Sequence, residues 1–365
     1  MEPTSPHPPV RYHEIDLLRF VAAVAVVLYH WAYRGYHAGY LSPVDYPALG
    51  RVCKYGYLGV ELFFLISGYV ILHSAQGKTL GQFVVSRVRR LYPAYWVACT
   101  LCFVAMRLGR PAYGGPGWSP LFDVSLREYC YNLSMLQSFF GVHDVDGVYW
   151  TLAVEITFYF LVSLLLAFGW LGRLVPVLAG WLGYCTLVGP AENASPFGLL
   201  FFPRYAPFFI AGMLLYLLQA KQVARWQLGG LLLWAYDLSM QSTWADTLDK
   251  SVFFHDYFSG PLAVALLTGC YGGLLLLTAR KHKPGRLAWL AAVGSLTYPV
   301  YLLHHNMGYL VLRYLGGRVE KHVLLAAMLL PLLALAWLLH RYVERPLSKK
   351  IGYSMQQLLK FTRRT

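Results

Sequence analysis

Residues 15–33 read IDLLRFVAAVAVVLYHWAY. A run of this length suits an α-helix crossing the hydrocarbon core of a bilayer, which needs about 20 residues rising 1.5 Å each. Yet the run holds Arg19 and His30. An ionisable side chain inside a span costs about 2.5–3.5 kcal/mol on insertion scales, so each is a functional suspect. The two are eleven positions apart. At about 100° per residue that brings them within roughly 20° of a whole number of turns, about 16 Å apart along the axis. One face of one helix therefore offers a fixed cation at one end and a titratable base at the other. Asp16, three residues before Arg19, offers a plain ion-pair partner, so Arg19 is either a site residue or half of a local pair. His30 is either a base or a buried, hydrogen-bonded side chain.

The rest of the chain follows this run. Of its 365 residues 57% are hydrophobic and only 13% charged, against about 25% charged in a soluble domain. A soluble enzyme, a disordered chain and a fibrous protein are excluded. Nine further apolar runs cover residues 57–74, 91–108, 150–170, 174–190, 197–218, 228–241, 260–279, 295–315 and 322–342. The sequence thus predicts an all-α integral membrane protein of about ten transmembrane helices. The run at 228–241 is the weakest of them. The net charge of +14 is broken up by these runs, which points to loop bias at a membrane and not to nucleic acid. With the N-terminus in the cytosol, cytosolic segments hold roughly twice as many Lys and Arg residues as the opposite face, which gives an N-in, C-in topology. The expected organisation is a cytosolic tail (1–14), a membrane domain (15–348) and a basic cytosolic tail (349–365). The stretch 107–149 is the longest outside the spans, with an interfacial segment at 121–140 on the extracytoplasmic side. No cleavable signal peptide is expected. Cys99 and Cys102 lie in an apolar run without further ligands, so no metal is expected.

Further polar residues interrupt the runs. Glu61 opens the second and Glu155 sits in the fourth, both expected at the depth of His30. A carboxylate bonded to one imidazole nitrogen would fix its tautomer, as a catalytic histidine needs, and either glutamate could do so. Arg87 and Arg90 share a helix face beside Arg89. Paired guanidinium groups grip phosphate, although a basic anchor on the cytosolic side has the same composition. Tyr298, His304 and His305 break the ninth run. Adjacent residues point about 100° apart, so at most one histidine faces a given cavity well. Arg204 is a weaker suspect beside Pro203 and Pro207.

These stretches resemble membrane acyltransferase family 3, integral membrane O-acyltransferases. The resemblance is carried by Asp16-Leu17-Leu18-Arg19-Phe20 with His30, and by Gly59-Val60-Glu61-Leu62-Phe63-Phe64 through Ser67-Gly68. It continues in Arg87 to Arg90 with Tyr92-Pro93, and in Val148-Tyr149-Trp150-Thr151-Leu152-Ala153-Val154-Glu155 with Phe158-Tyr159. Tyr298-Pro299-Val300-Tyr301-Leu302-Leu303-His304 and Glu344-Arg345-Pro346 complete it. Glu61 departs from the family pattern, which commonly has Asp there.

The resemblance implies transfer of an acyl group, usually acetyl, from cytosolic acyl-CoA to a hydroxyl of a glycan or lipid-linked sugar on or beyond the outer face of the cytoplasmic (inner) membrane, or to a small-molecule alcohol. It implies that Arg19 and His30 are required and that Arg87 and Arg90 serve the donor. The expected roles are His30 as base, Glu155 or Glu61 as its orienter, and Arg19 on a donor phosphate or the thioester. Ser67 and Tyr298 are oxyanion donors, with His304 a further substrate contact. The alternative is a transporter or flippase for a sugar or lipid intermediate, which would also use intramembrane charges. No pair of related halves favours it.

Overall fold

The computed structural model describes residues 13–39, 41–115, 118–190, 197–221, 223–279 and 289–361. The first twelve residues, the basic loop at 280–286 and the closing arginines Arg363 and Arg364 lie outside the described residues.

Among the described residues every regular element is helical. In chain order these are α1 (His13–His37), α2 (Pro47–Ala75), α3 (Leu80–Gly109), the short α4 (Leu126–Asn132), α5 (Trp150–Ala167), α6 (Trp170–Val188) and α7 (Gly198–Ala220). They continue with α8 (Arg225–Phe254), α9 (Gly260–Ala279), α10 (Leu290–Leu303), α11 (His305–Leu315), α12 (Lys321–Leu338) and α13 (Arg345–Phe361). Eight of the helices are long and apolar enough to cross a membrane: α1, α2, α3, α5, α6, α7, α9, and α12 with its continuation.

The other two apolar runs differ from expectation for visible reasons. The run at 228–241 is the first half of a 30-residue helix, α8. Its second half carries Asp246 and Asp249, which both pair with Arg204, and Lys250, which pairs with Asp246. The run at 295–315 is two helices, α10 and α11, broken at His304. The Asn306 N–H donates to Asp146 Oδ2 (3.0 Å) instead of the carbonyl one turn back, and that carbonyl, of Leu302, accepts from the Tyr149 hydroxyl (3.2 Å). Side chains from the loop before α5 have taken both ends of one helical hydrogen bond.

Two further features position the site. α2 and α7 meet backbone to backbone, because a Cβ on Gly68 would strike the Phe209 carbonyl and one on Gly212 the Leu65 carbonyl. Small residues permit such an approach in apolar surroundings, where packing drives helix association. The segment 121–140 is fastened to α3. Tyr92, Tyr95 and Trp96 donate to the carbonyls of Ser134, Asn132 and Leu133, and Phe122 and Met135 are wholly buried. The last described helix begins at Arg345. It follows α12 through a π-helical turn, Leu339–Glu344, and packs on α3 with Gly352 against Arg89.

Candidate active site

Three cavities follow one another between α1, α2, α5 and α10. The first, of about 450 Å³, is lined by Arg19, Arg87, Arg89 and Arg90, with Glu155 and Glu344 as its acids. The second is a throat of about 50 Å³ that shares Arg19, Ser67, Glu155 and Tyr298 with the first. The third, of about 160 Å³, shares Val60 and Tyr301 with the throat and contains His30, Glu61 and His305. Arg19 and His30 therefore stand toward opposite ends of this series of adjoining cavities, along one face of α1.

At the arginine end the side chains are not equivalent. Arg90 donates to Glu344 Oε1 (2.6 Å), and Glu344 Oε2 is 2.8 Å from His340 Nδ1. The π-helical turn at Leu339–Glu344 ends on this partner, and such turns are frequent at functional sites. Arg90 also lies over the Tyr298 ring, whose hydroxyl donates to the Leu91 carbonyl (3.2 Å). Arg87 has no carboxylate partner among the described residues. It touches Ser86 Oγ (3.2 Å) and lies over Phe83 and Tyr159.

The carboxylates separate. Glu155 is not at the depth of His30. It accepts from Ser67 Oγ (3.4 Å) and Tyr159 Oη (2.5 Å) and lines the first cavity and the throat. The reason is helix register: α5 starts at Trp150, so five residues carry Glu155 about 7.5 Å along the axis. Glu61 stands in the first turn of the helical run from Gly59 and stays at the histidine end. No hydrogen bond joins either glutamate to His30 among the described residues.

What fixes His30 is another histidine. His304 Nδ1 is 2.8 Å from the Tyr301 carbonyl. A carbonyl only accepts, so the neutral His304 ring carries its proton on Nδ1 and is bare at Nε2. That Nε2 is 3.0 Å from His30 Nδ1, which is also 2.9 Å from the Val26 carbonyl. Both neighbours require a donor at His30 Nδ1. The protons are assigned from this network, and they leave His30 Nε2 with a free lone pair, as a general base requires. Both nitrogens of His304 are engaged within the protein, Nδ1 at the Tyr301 carbonyl and Nε2 at His30. A π-helical turn begins at His30 and runs to Arg34.

His305 packs its ring edge-to-face on His30, with centroids 4.4 Å apart. Its Nδ1 is 2.6 Å from Asn306 Oδ1 and 3.2 Å from Asp146 Oδ1. Asp146 is fully buried. It also accepts from the backbone N–H groups of Val148 (3.2 Å) and Asn306 (3.0 Å) and from the Cys102 thiol (3.4 Å). Burial works to raise its pKa, but the His305 charge and hydrogen bond outweigh it and hold the carboxyl below the usual aspartate range. A Cβ at Gly147 would lie 2.5 Å from the His305 ring, so glycine there lets the loop close on the imidazole.

Asp146 and Asn306 were not among the sequence candidates. Asp146 stands two residues before the stretch Val148–Glu155, in His143-Asp144-Val145-Asp146-Gly147. An acid beside glycine at the edge of a span is the one sequence signal for it. Among the described residues no group of three or more His, Cys, Asp or Glu side chains is arranged to hold a metal ion. His30 and His304 turn their nitrogens on each other, not toward a common point.

Residues 12–341 match the family described as an acyltransferase domain. The chain is 27% identical over 331 residues to Nodulation protein 10 of Rhizobium leguminosarum bv. viciae, covering 83% of this chain and 85% of the relative. It is 30% identical over 161 residues to Peptidoglycan O-acetyltransferase OatA of Listeria monocytogenes serovar 1/2a, covering 40% of this chain but 22% of that protein. A protein of Komagataeibacter xylinus named as a membrane-bound transacylase, BcsY, is 25% identical over 363 residues, which is 93% of this chain and 83% of the relative. No solved structure matches.

Proposed function

Since the chain belongs to the acyltransferase domain family, we propose that it is a multi-pass membrane O-acyltransferase moving an acyl group, most simply acetyl, from acyl-CoA to an acceptor hydroxyl. The observation that carries the reading is the passage with Arg19 at one end and a base, His30, at the other.

In this reading the chain sits in the cytoplasmic membrane with both termini in the cytosol, and the arginine cavity opens to the cytosol. Four arginines against two glutamates there favour a polyanion such as the coenzyme's phosphates. Arg87 and Arg89 hold the phosphates, because Arg90 is engaged by Glu344. Arg19 receives the thioester end in the throat. His30 Nε2 removes the proton of the acceptor hydroxyl, and the oxygen attacks the thioester carbonyl. The C–S bond breaks, and the leaving thiolate takes that proton from the imidazolium. His304 keeps His30 in the tautomer this requires. Asp146 and His305 brace the same ring. The acceptor, a glycan, lipid-linked sugar or other alcohol, enters from the histidine end. Two named relatives, an O-acetyltransferase and a transacylase, support the reaction class.

The test is purified protein in lipid nanodiscs with acetyl-CoA labelled in the acetyl group. Label found covalently on an added alcohol, with release of free thiol, supports the reading. Label left on the donor, with acceptor carried unmodified across sealed vesicles, would replace it with a transporter.

A further inference from the structure

The histidine end of the passage contains two buried polar atoms without a hydrogen bond among the described residues, Glu61 Oε2 and Arg34 Nη1, although the Arg34 guanidinium also interacts with the Tyr29 and Tyr309 hydroxyls. Glu61 is only 5% exposed, and both residues line the cavity that holds His30. An unmade bond at a buried carboxylate or guanidinium is costly, and such an atom calls for a ligand or water. The other charged side chains of this cavity are satisfied. Asp246 accepts from Lys250 (2.5 Å) and from Arg204 (3.3 Å).

The missing ligand must donate to Glu61 and accept from Arg34. A simple alkyl alcohol has one oxygen, which the reaction already uses. An acid would bring a further negative charge toward Glu61 and Asp246. The cavity holds two acids, Glu61 and Asp246, and two bases, Arg34 and Lys250, whereas the arginine cavity holds an excess of bases. Trp150 and Tyr205, 5.2 Å apart between ring centroids, form part of its wall and suit the C–H face of a ring. We infer that Glu61 and Arg34 grip two oxygens of an uncharged polyol next to the hydroxyl that His30 deprotonates, and so select a neutral sugar ring over an acidic sugar or a fatty alcohol. The inference rests on the acyl-transfer reading above. Glu61 and Arg34 are acceptor-binding residues in it, and Glu61 does not orient His30.

The test uses the full chain in nanodiscs with labelled acetyl-CoA and three acceptors offered singly: methyl glucoside, glucuronic acid and octanol. Acetyl-CoA affinity is measured by calorimetry in parallel and reports that each variant is folded. Methyl glucoside should be the preferred acceptor. Glu61→Gln and Arg34→Gln should each raise its KM at least about tenfold, the loss of one charge-assisted bond, and leave acetyl-CoA affinity unchanged. Preference for octanol or glucuronic acid, no transfer to any of the three by a protein that binds acetyl-CoA, or an unchanged acceptor KM in both variants would overturn the inference. Failure of the wild-type chain to bind acetyl-CoA would instead strike the acyl-transfer reading, and the inference with it.

Discussion

His30 Nδ1 lies 3.0 Å from His304 Nε2, and the direction of this hydrogen bond is set at its far end, where His304 Nδ1 is 2.8 Å from the Tyr301 carbonyl. In the proposed reaction an imidazole thus takes the place that a carboxylate usually holds behind a catalytic histidine. It fixes a tautomer without adding a charge. Behind metal-bound histidines such partners are worth about 10–100-fold, and the same order is expected for the neutral His304 behind a metal-free ring. His304→Leu should therefore lower kcat by about that factor, with donor KM unchanged, and His304→Gln, whose amide oxygen can still accept, should recover part of it. The pH–rate profile is the second readout: its acidic limb, where the base becomes protonated, should shift in His304→Leu, which a purely structural loss would not do.

Arg87 and Arg89 should govern donor affinity. Each charge-assisted hydrogen bond is worth about 1.5–3 kcal/mol, so Arg87→Ala should weaken acetyl-CoA binding by roughly tenfold or more. The deficit should grow when salt is lowered, because the wild-type attraction is then less screened. Isothermal calorimetry at two salt concentrations reads both effects.

Arg90 should behave differently, because its partner is protein. Glu344 is 8% exposed at its side chain and bonded to Arg90 at 2.6 Å. Arg90→Ala leaves that carboxylate short of its cation, at a cost of about 1–3 kcal/mol in stability. Glu344→Gln in the same chain should restore part of the loss. Thermal unfolding in detergent of the two single variants and the double measures the coupling.

These partners show where the sequence was and was not informative. The apolar runs were legible because a bilayer makes length and hydrophobicity nearly sufficient. The Arg19–His30 stripe was legible because both residues lie on one helix. The partner of His30 lies 274 positions away, and nothing in local spacing reports it. The two-histidine pattern at His304 and His305 looked like two directions on one helix. It became one cluster because Asp146 and Tyr149 broke that helix. Glu155 was placed at the wrong depth because its height depends on where α5 starts, and span boundaries are the least certain part of a hydropathy reading.

Asp144, in the loop before α5, gives a pH prediction. Burial raises its carboxyl to about 6, against the hydrogen bond from Gln137 and with help from the Asp146 charge. A folded-state pKa above the unfolded one means stability that is present at low pH and lost as pH rises through about 6. Asp144→Asn keeps an oxygen for Gln137 and removes the titration. It should therefore unfold at a higher temperature than wild type at about pH 8 and show little advantage at about pH 4.

Gly68 and Gly212 give a packing prediction. Either changed to Ala drives a methyl into a carbonyl of the facing helix, and overpacking of this kind costs about 1–3 kcal/mol. Both variants should melt at lower temperature in detergent. The double variant should cost less than the sum, since one separation of α2 from α7 relieves both clashes.

The most direct test of the account compares His30→Ala with wild type for acetyl transfer from labelled acetyl-CoA, alongside donor binding by calorimetry. Binding should be unchanged and transfer lost by about 10²-fold or more, the contribution of a general base. Transfer at the wild-type rate by a variant that still binds the donor would contradict it.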